Sequence, residues 1–221
     1  MRLDLHGLSC RRGGRVVFRD ISFSVEAGQA ALVRGPNGVG KSTLLRVLAG
    51  LIPPMAGAIR VGDTDLSGDA AALQDRVAYA GHLDAIKPAL TVRQNLAAWS
   101  GIFATDPACI PAALSFFGLA DIAARPAAQC SAGQKRRLGL ARLMIVDRPI
   151  WLLDEPTVSL DTSSAQLVAE LVQDHCAQGR TALIATHIDL ALPPGPVLQM
   201  TPPVAVTETA EVDAFLGGDW S

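Results

Sequence analysis

Gly35-Pro36-Asn37-Gly38-Val39-Gly40-Lys41-Ser42 sets two glycines five residues apart and follows the second with a lysine and a hydroxyl. That spacing suits a polyphosphate. Glycines let backbone amides turn inward around phosphate oxygens, and a helix opening at this point adds its positive end. Lys41 would put a point charge on the β- and γ-phosphates, Ser42 would offer its hydroxyl to Mg2+, and Thr43 would reach a neighbouring phosphate. Two acids close the apolar run Ile150-Trp151-Leu152-Leu153-Asp154-Glu155. Asp154 is suited to hold the metal through a water, and Glu155 to act as the general base that polarises the attacking water. His187 follows a second apolar run, 182–185, where it can donate to the γ-phosphate and orient that water with Glu155. Ser131-Ala132-Gly133-Gln134 fits the Ser-x-x-Gln capping box of a helix start. Free amides, a small hydroxyl and a glycine at a helix N-terminus also make a second anion site. One chain does not need two, which points to a dimer.

Each of these residues has a plainer reading. A glycine-rich turn can hold a chance lysine, an Asp-Glu pair can cap a helix, and a lone histidine usually sits in a half-exposed loop. The order phosphate loop, acidic pair, histidine, each at the end of a predicted strand, favours the chemistry. At 131–134 the capping and anion-binding readings hold together.

The elements that must position these residues can be read from periodicity. Residues 3–8 and 16–25 alternate as strands around a Gly13-Gly14 turn. Residues 30–34 form a short apolar strand running into the phosphate loop, and 41–51 a helix ended by Gly50 and Pro53-Pro54. Strands are predicted at 59–61 and 77–80. A helical block follows over 83–147, with starts at Thr91, Pro107 and Ser131. In its last helix, 135–145, Leu138, Ala141, Leu143 and Ile145 form the core face and Lys135-Arg136-Arg137 is expected to be solvated. Strand 150–153, helix 163–178 and strand 182–185 restore an α/β rhythm. The Pro-rich tail after Ala191 is expected to add an edge strand and a short helix near 209–216. One domain spanning 1–221, with a helical lobe inserted in an α/β core, is the expected organisation.

Composition narrows the class. The chain is 49% apolar, yet no run of about 18 apolar residues is free of charge or proline. The best candidate, 47–61, is broken by Pro53-Pro54 and Arg60. The apolarity is therefore assigned to a buried parallel sheet rather than a membrane span. A net charge of −2 offers no basic field for nucleic acid. No apolar signal region opens the chain. Cys10, Cys109, Cys130 and Cys176 are scattered without a Cys-x-x-Cys pair, which argues against zinc and disulfides and for a reduced, cytosolic setting.

Together these motifs resemble the ATP-binding cassette ATPases over nearly the whole chain. The phosphate loop is similar to their Walker A motif and 150–155 to their Walker B motif. Cys130 to Gln134 resembles their signature, usually Leu-Ser-Gly-Gly-Gln, with Cys130 and Ala132 as departures. Val158-Ser159-Leu160-Asp161 is similar to the D-loop and His187 to the switch histidine. The resemblance implies a P-loop nucleotide-hydrolase fold of the α/β class, with a mixed-sheet, RecA-like core and an inserted helical subdomain. It implies ATP and Mg2+ as ligands, and an ATP-dependent homodimer in which Ser131, Gly133, Gln134 and Asp161 of one copy serve the nucleotide held by the other. His82 stands where the family has its Q-loop glutamine, a nucleotide contact that faces a membrane partner. The aromatic that stacks on adenine has no counterpart near Arg12, which leaves Arg12 or Phe18 for that role.

The segment 81–96, Gly81-His82-Leu83-Asp84-Ala85-Ile86-Lys87-Pro88-Ala89-Leu90-Thr91-Val92-Arg93-Gln94-Asn95-Leu96, with the short chain and the signature variant Cys130-Ser131-Ala132-Gly133-Gln134-Lys135-Arg136-Arg137, also resembles the ATPase subunits of bacterial cytochrome c maturation systems. This implies a membrane-integral permease subunit as partner, a role in haem export or delivery, and a peripheral position on the cytoplasmic face of the inner membrane. An importer or exporter ATPase of another cargo is the alternative. Cassette ATPases of DNA repair or translation usually carry coiled coils or two cassettes, absent here. A GTPase would need an Asn-Lys-x-Asp guanine reader, also absent, and a small-molecule kinase would not need the Ser-Ala-Gly-Gln element.

Overall fold

A computed structural model describes residues 1–202. The chain opens with β1 (Leu3–Arg12) and β2 (Arg15–Val25), a hairpin turned by Gly13-Gly14, both at positive φ as a tight two-residue turn requires. β3 (Ala30–Arg34) feeds the phosphate loop and α1 (Lys41–Leu48). Next come β4 (Ala56–Val61), β5 (Thr64–Asp65), α2 (Ala70–Arg76) and β6 (Val77–Ala80). Helices α3 (Val92–Phe103), α4 (Ile110–Phe116) and α5 (Ala132–Ala141) precede β7 (Ile150–Asp154), α6 (Thr162–Ala177), β8 (Thr181–Ala185) and β9 (Val197–Gln199).

Two sheets result. Strands β2-β1-β4-β5 form an antiparallel sheet, and β6-β7-β8-β3-β9 a parallel one. Every residue of β7 and β8 is buried, as continuous apolar runs in a covered parallel sheet should be. Successive side chains of β7 point to opposite faces. Ile150 and Leu152 join the core shared with α1 and the antiparallel sheet, beside Leu5, Leu45 and Ile59. Trp151 and Leu153 join the core under the helices, with Leu96, Phe117, Leu138 and Val172.

The strand order decides where chemistry can occur. β6, β7, β8 and β3 are consecutive and parallel, so the segments leaving their carboxyl ends lie side by side. Those segments are 81–84, 154–156, 186–187 and 35–40. Ligands bind parallel α/β sheets at this edge.

Several expectations required correction. Residues 83–90, the opening of the expected helical block, are not helical; the start expected at Thr91 is the N-cap of α3, in a full capping box with Gln94. Pro88 lacks a backbone N–H and restricts its predecessor. Buried Asn95 then fixes the loop by accepting from the Lys87 N–H and donating to the carbonyls of Lys87, Leu90 and Thr91. α1 stops at Leu48 because Gly50 has φ 66°, and a Cβ there would lie 2.7 Å from the Ala70 carbonyl oxygen. β5 and α2, with Asp69 capping α2, lay outside the sequence reading. The expected edge strand of the tail is β9, whereas the helix expected near 209–216 lies outside the described residues. Among the described residues no helix is long and apolar enough to cross a membrane.

Candidate functional site

The phosphate loop owes its shape to glycine at two tight positions. Gly35 (φ 144°) passes so close to Met200 that a Cβ would lie 2.5 Å from its carbonyl oxygen. Gly40 (φ 108°) lies under the β-hairpin, where a Cβ would meet Val17 Cγ1 at 2.7 Å. Between them Pro36, Asn37, Gly38 and Val39 form the turn, and Thr43, the third residue of α1, is buried. Lys41, 8% exposed, donates from Nζ to the carbonyls of Gly35 at 2.8 Å and Pro36 at 3.2 Å, so its ammonium lies within the loop.

Asp154 lies at the carboxyl end of β7, 2% exposed. Its Oδ1 accepts from Ser42 Oγ at 3.0 Å and its Oδ2 from the Tyr79 hydroxyl at 3.3 Å. Burial, reinforced by this carboxylate, pushes the Tyr79 phenol above its usual range. Among the described residues Asp154 makes no ion pair. A buried carboxylate 3.0 Å from a serine hydroxyl at the phosphate loop is a hard oxygen-donor set that fits Mg2+.

Glu155 leaves the strand in the left-handed region, φ 47°, a conformation costing a non-glycine residue on the order of 1 kcal/mol. Its N–H donates to the Ala185 carbonyl at 2.8 Å, and its Oε2 lies 3.0 Å from His187 Nδ1. The carboxylate and imidazole therefore meet across the ends of neighbouring strands β7 and β8. Arg34, the last residue of β3, holds the histidine's turn, donating to the Thr186 carbonyl at 3.0 Å and to Asp189 Oδ1 at 2.6 Å.

Ser131 caps α5: it accepts from the Gln134 N–H at 3.2 Å, and Gln134 Oε1 accepts from the Ser131 N–H at 2.9 Å. The expected capping box is complete, with Ser131 exposed. Gly133 faces residue 159, where a Cβ would come within 3.2 Å of the Ser159 carbonyl oxygen. Asp161 caps α6 by accepting from the Ser164 N–H at 2.8 Å, and its bonds from Ser164 and Ser163 hold its carboxyl below the usual range. Among the described residues no hydrogen bond joins Ser131, Gly133, Gln134 or Asp161 to residues 35–43. The structure thus gathers Lys41, Ser42, Asp154, Glu155 and His187, while Ser131, Gly133, Gln134 and Asp161 stay unbonded to the phosphate loop. Exposed His82 lines a cleft of about 350 Å3 with Glu155, Ala132, Lys135 and Ser159.

Two sequence readings change here. Phe18 is 2% exposed beneath the phosphate loop and is not available to a base; Arg12, at the hairpin end, is exposed. Within the 135–137 run Arg136 is not solvated, being 5% exposed, whereas Lys135 and Arg137 are half-buried, Arg137 donating to the Phe117 carbonyl at 2.8 Å. Burial of a charged residue became favourable because carbonyls distant in sequence accept from it. Tyr79, Arg34 and Arg136 were missed. Only their places beside strand ends and the signature could have signalled them.

The family model described as ABC transporter matches residues 18–158. The chain is 50% identical over 200 residues to the "Cytochrome c biogenesis ATP-binding export protein CcmA" of Paracoccus denitrificans, covering 90% of this chain and 89% of that protein. It is 47% identical to the protein of the same name from Cereibacter sphaeroides, over 98% of this chain and 99% of that one. A solved "ATP binding subunit of ABC transporter" superposes with a TM-score of 0.77 at 25% identity, covering 85% of this chain and 80% of that one. A putative ABC transporter ATP-binding protein from Pyrococcus furiosus superposes at 0.79 with 21% identity, covering 90% and 98%. The chain belongs to the ATP-binding proteins of ABC transporters, in the group of cytochrome c biogenesis ATP-binding export proteins.

Proposed function

We propose that this chain hydrolyses ATP as the energy-coupling subunit of a complex for c-type cytochrome biogenesis, driving a membrane-integral permease partner that exports or delivers haem. The observation that carries the catalytic half is the Glu155–His187 contact of 3.0 Å at the strand edge that also holds Lys41, Ser42 and Asp154. The relatives' printed names supply the biogenesis half.

In this reading the amides of 35–40 and Lys41 bind the triphosphate, with Thr43 on a neighbouring oxygen. Ser42 and Asp154 would hold Mg2+, which when bound neutralises charge on the β- and γ-phosphates. Glu155 accepts a proton from the attacking water, and His187 orients that water and donates to the γ-phosphate. His82, across the cleft from Glu155, takes the place of the family glutamine as the contact between nucleotide and partner. Ser131, Gly133, Gln134 and Asp161 complete the site of a second copy, in an ATP-dependent homodimer on the cytoplasmic face of the inner membrane. Their lack of any bond to the chain's own phosphate loop supports this.

The test is steady-state ATPase activity of Glu155→Gln with its nucleotide affinity. We expect kcat to fall by about 100-fold or more while ATP binding persists. Undiminished turnover would remove Glu155 from the base role.

A further inference from the structure

Arg136 lies one turn inside α5, and a guanidinium carries five N–H donors in one plane. Here all five are used. Nε donates to the Pro156 carbonyl at 3.1 Å, and Nη2 to the carbonyls of Asp154 at 3.2 Å and Glu155 at 2.7 Å. Nη1 donates to the Gly81 carbonyl and to Asp84 Oδ1, both at 2.9 Å. Three acceptors are consecutive carbonyls centred on Glu155, and the other two flank His82. One buried side chain on the signature helix therefore ties the segment after β7 to the segment after β6.

Gly139, one turn further along α5, reports the same closeness independently. A Cβ there would lie 2.9 Å from Asp84 Cβ and 3.1 Å from Asp84 Cα, so this helix and segment 81–84 are pressed together at both positions. Glu155 needs such a restraint. Its left-handed backbone is held by its N–H on Ala185 and by its carbonyl on Arg136.

We propose that Arg136 is a positioning residue for hydrolysis. It fixes the backbone that aims the Glu155 carboxylate, and it carries any shift of α5 or of segment 81–84 to that carboxylate. It touches no substrate. The inference rests on Glu155 being the base. Lysine could keep the charge but has three tetrahedral donors and could not serve five acceptors in a plane.

The experiment compares the full chain with Arg136→Lys, Glu155→Gln and the double variant, measuring ATP affinity, kcat and melting temperature. Arg136→Lys should bind ATP within about threefold of the parent yet turn over at least about 30-fold more slowly, since misplacing a catalytic group by about 1 Å can cost about 100-fold. In the Glu155→Gln background the same change should leave the residual rate unaltered, because both act through one group. Parental turnover in Arg136→Lys, or a loss that adds to that of Glu155→Gln, would overturn the proposal. Should Arg136→Lys not fold, Asp84→Ala removes one acceptor at a partly exposed position. A three- to tenfold loss of turnover, roughly, at unchanged ATP affinity supports the relay, and parental turnover overturns it. Parental turnover in Glu155→Gln would remove the base assignment and the relay with it. A silent Glu155→Gln beside a fully active Arg136→Lys would remove the relay alone.

Discussion

Single residues here carry charge into places that only their partners make tolerable. His175 is 2% exposed and stacks on Trp151 with ring centroids 3.7 Å apart. Burial, aided by Arg180, lowers its pKa from 6.5 to about 4. The folded protein therefore keeps this ring neutral while the unfolded chain protonates it below 6.5, so its share of stability is complete above that pH and is lost as pH falls toward 4. At pH 5 the loss relative to neutral pH should be about 2 kcal/mol. Urea denaturation at both pH values should show that decline in the parent and a flatter response in His175→Phe. Ser131→Ala separates two roles of one hydroxyl. Loss of the cap should cost about 1 kcal/mol of stability, a modest shift in melting temperature. A fall in ATPase activity well beyond that shift is expected if the hydroxyl also serves nucleotide.

At the scale of elements, legibility followed locality. β3 and β6 have the predicted bounds, and β7 extends one residue further, to Asp154. Apolar runs bounded by turn residues are local signals. Lys41 and Ser42 were legible because a phosphate loop needs its glycines, lysine and hydroxyl contiguous. Segment 83–90 was misread because its conformation depends on Asn95 reaching back to Lys87, Leu90 and Thr91. Arg136 was misread because its acceptors lie about 20 and more than 50 residues away, where no pattern within a helix can point. Asn95→Ala should therefore destabilise the chain by about 2–4 kcal/mol, since it strips several buried backbone groups of their partner. Chemical denaturation would measure it; a change below about 0.5 kcal/mol would mean that Pro88 and the Thr91 cap hold the loop unaided.

The whole molecule joins a parallel sheet, whose carboxyl edge gathers the phosphate loop, acidic pair and histidine, to a helical region whose α5 starts at the Ser131–Gln134 capping box. Within one chain the Ser131–Gln134 start of α5 shares no hydrogen bond with residues 35–43 among the described residues, although Arg136 of the same helix donates to the carbonyls of Asp154 and Glu155. A two-fold pairing would bring each onto the other's partner, since a symmetric interface applies every contact twice. That composite site is the central claim, and mixing two inactive variants tests it directly. Lys41→Ala disables nucleotide binding by its own loop, and Ser131→Arg disables the signature offered to the other copy. Each should be inactive alone. Mixed in equal amounts, half of the dimers should contain one intact site of two, giving about a quarter of parental ATPase activity. A mixture that stays silent although both variants are folded, or Ser131→Arg fully active by itself, would contradict the claim.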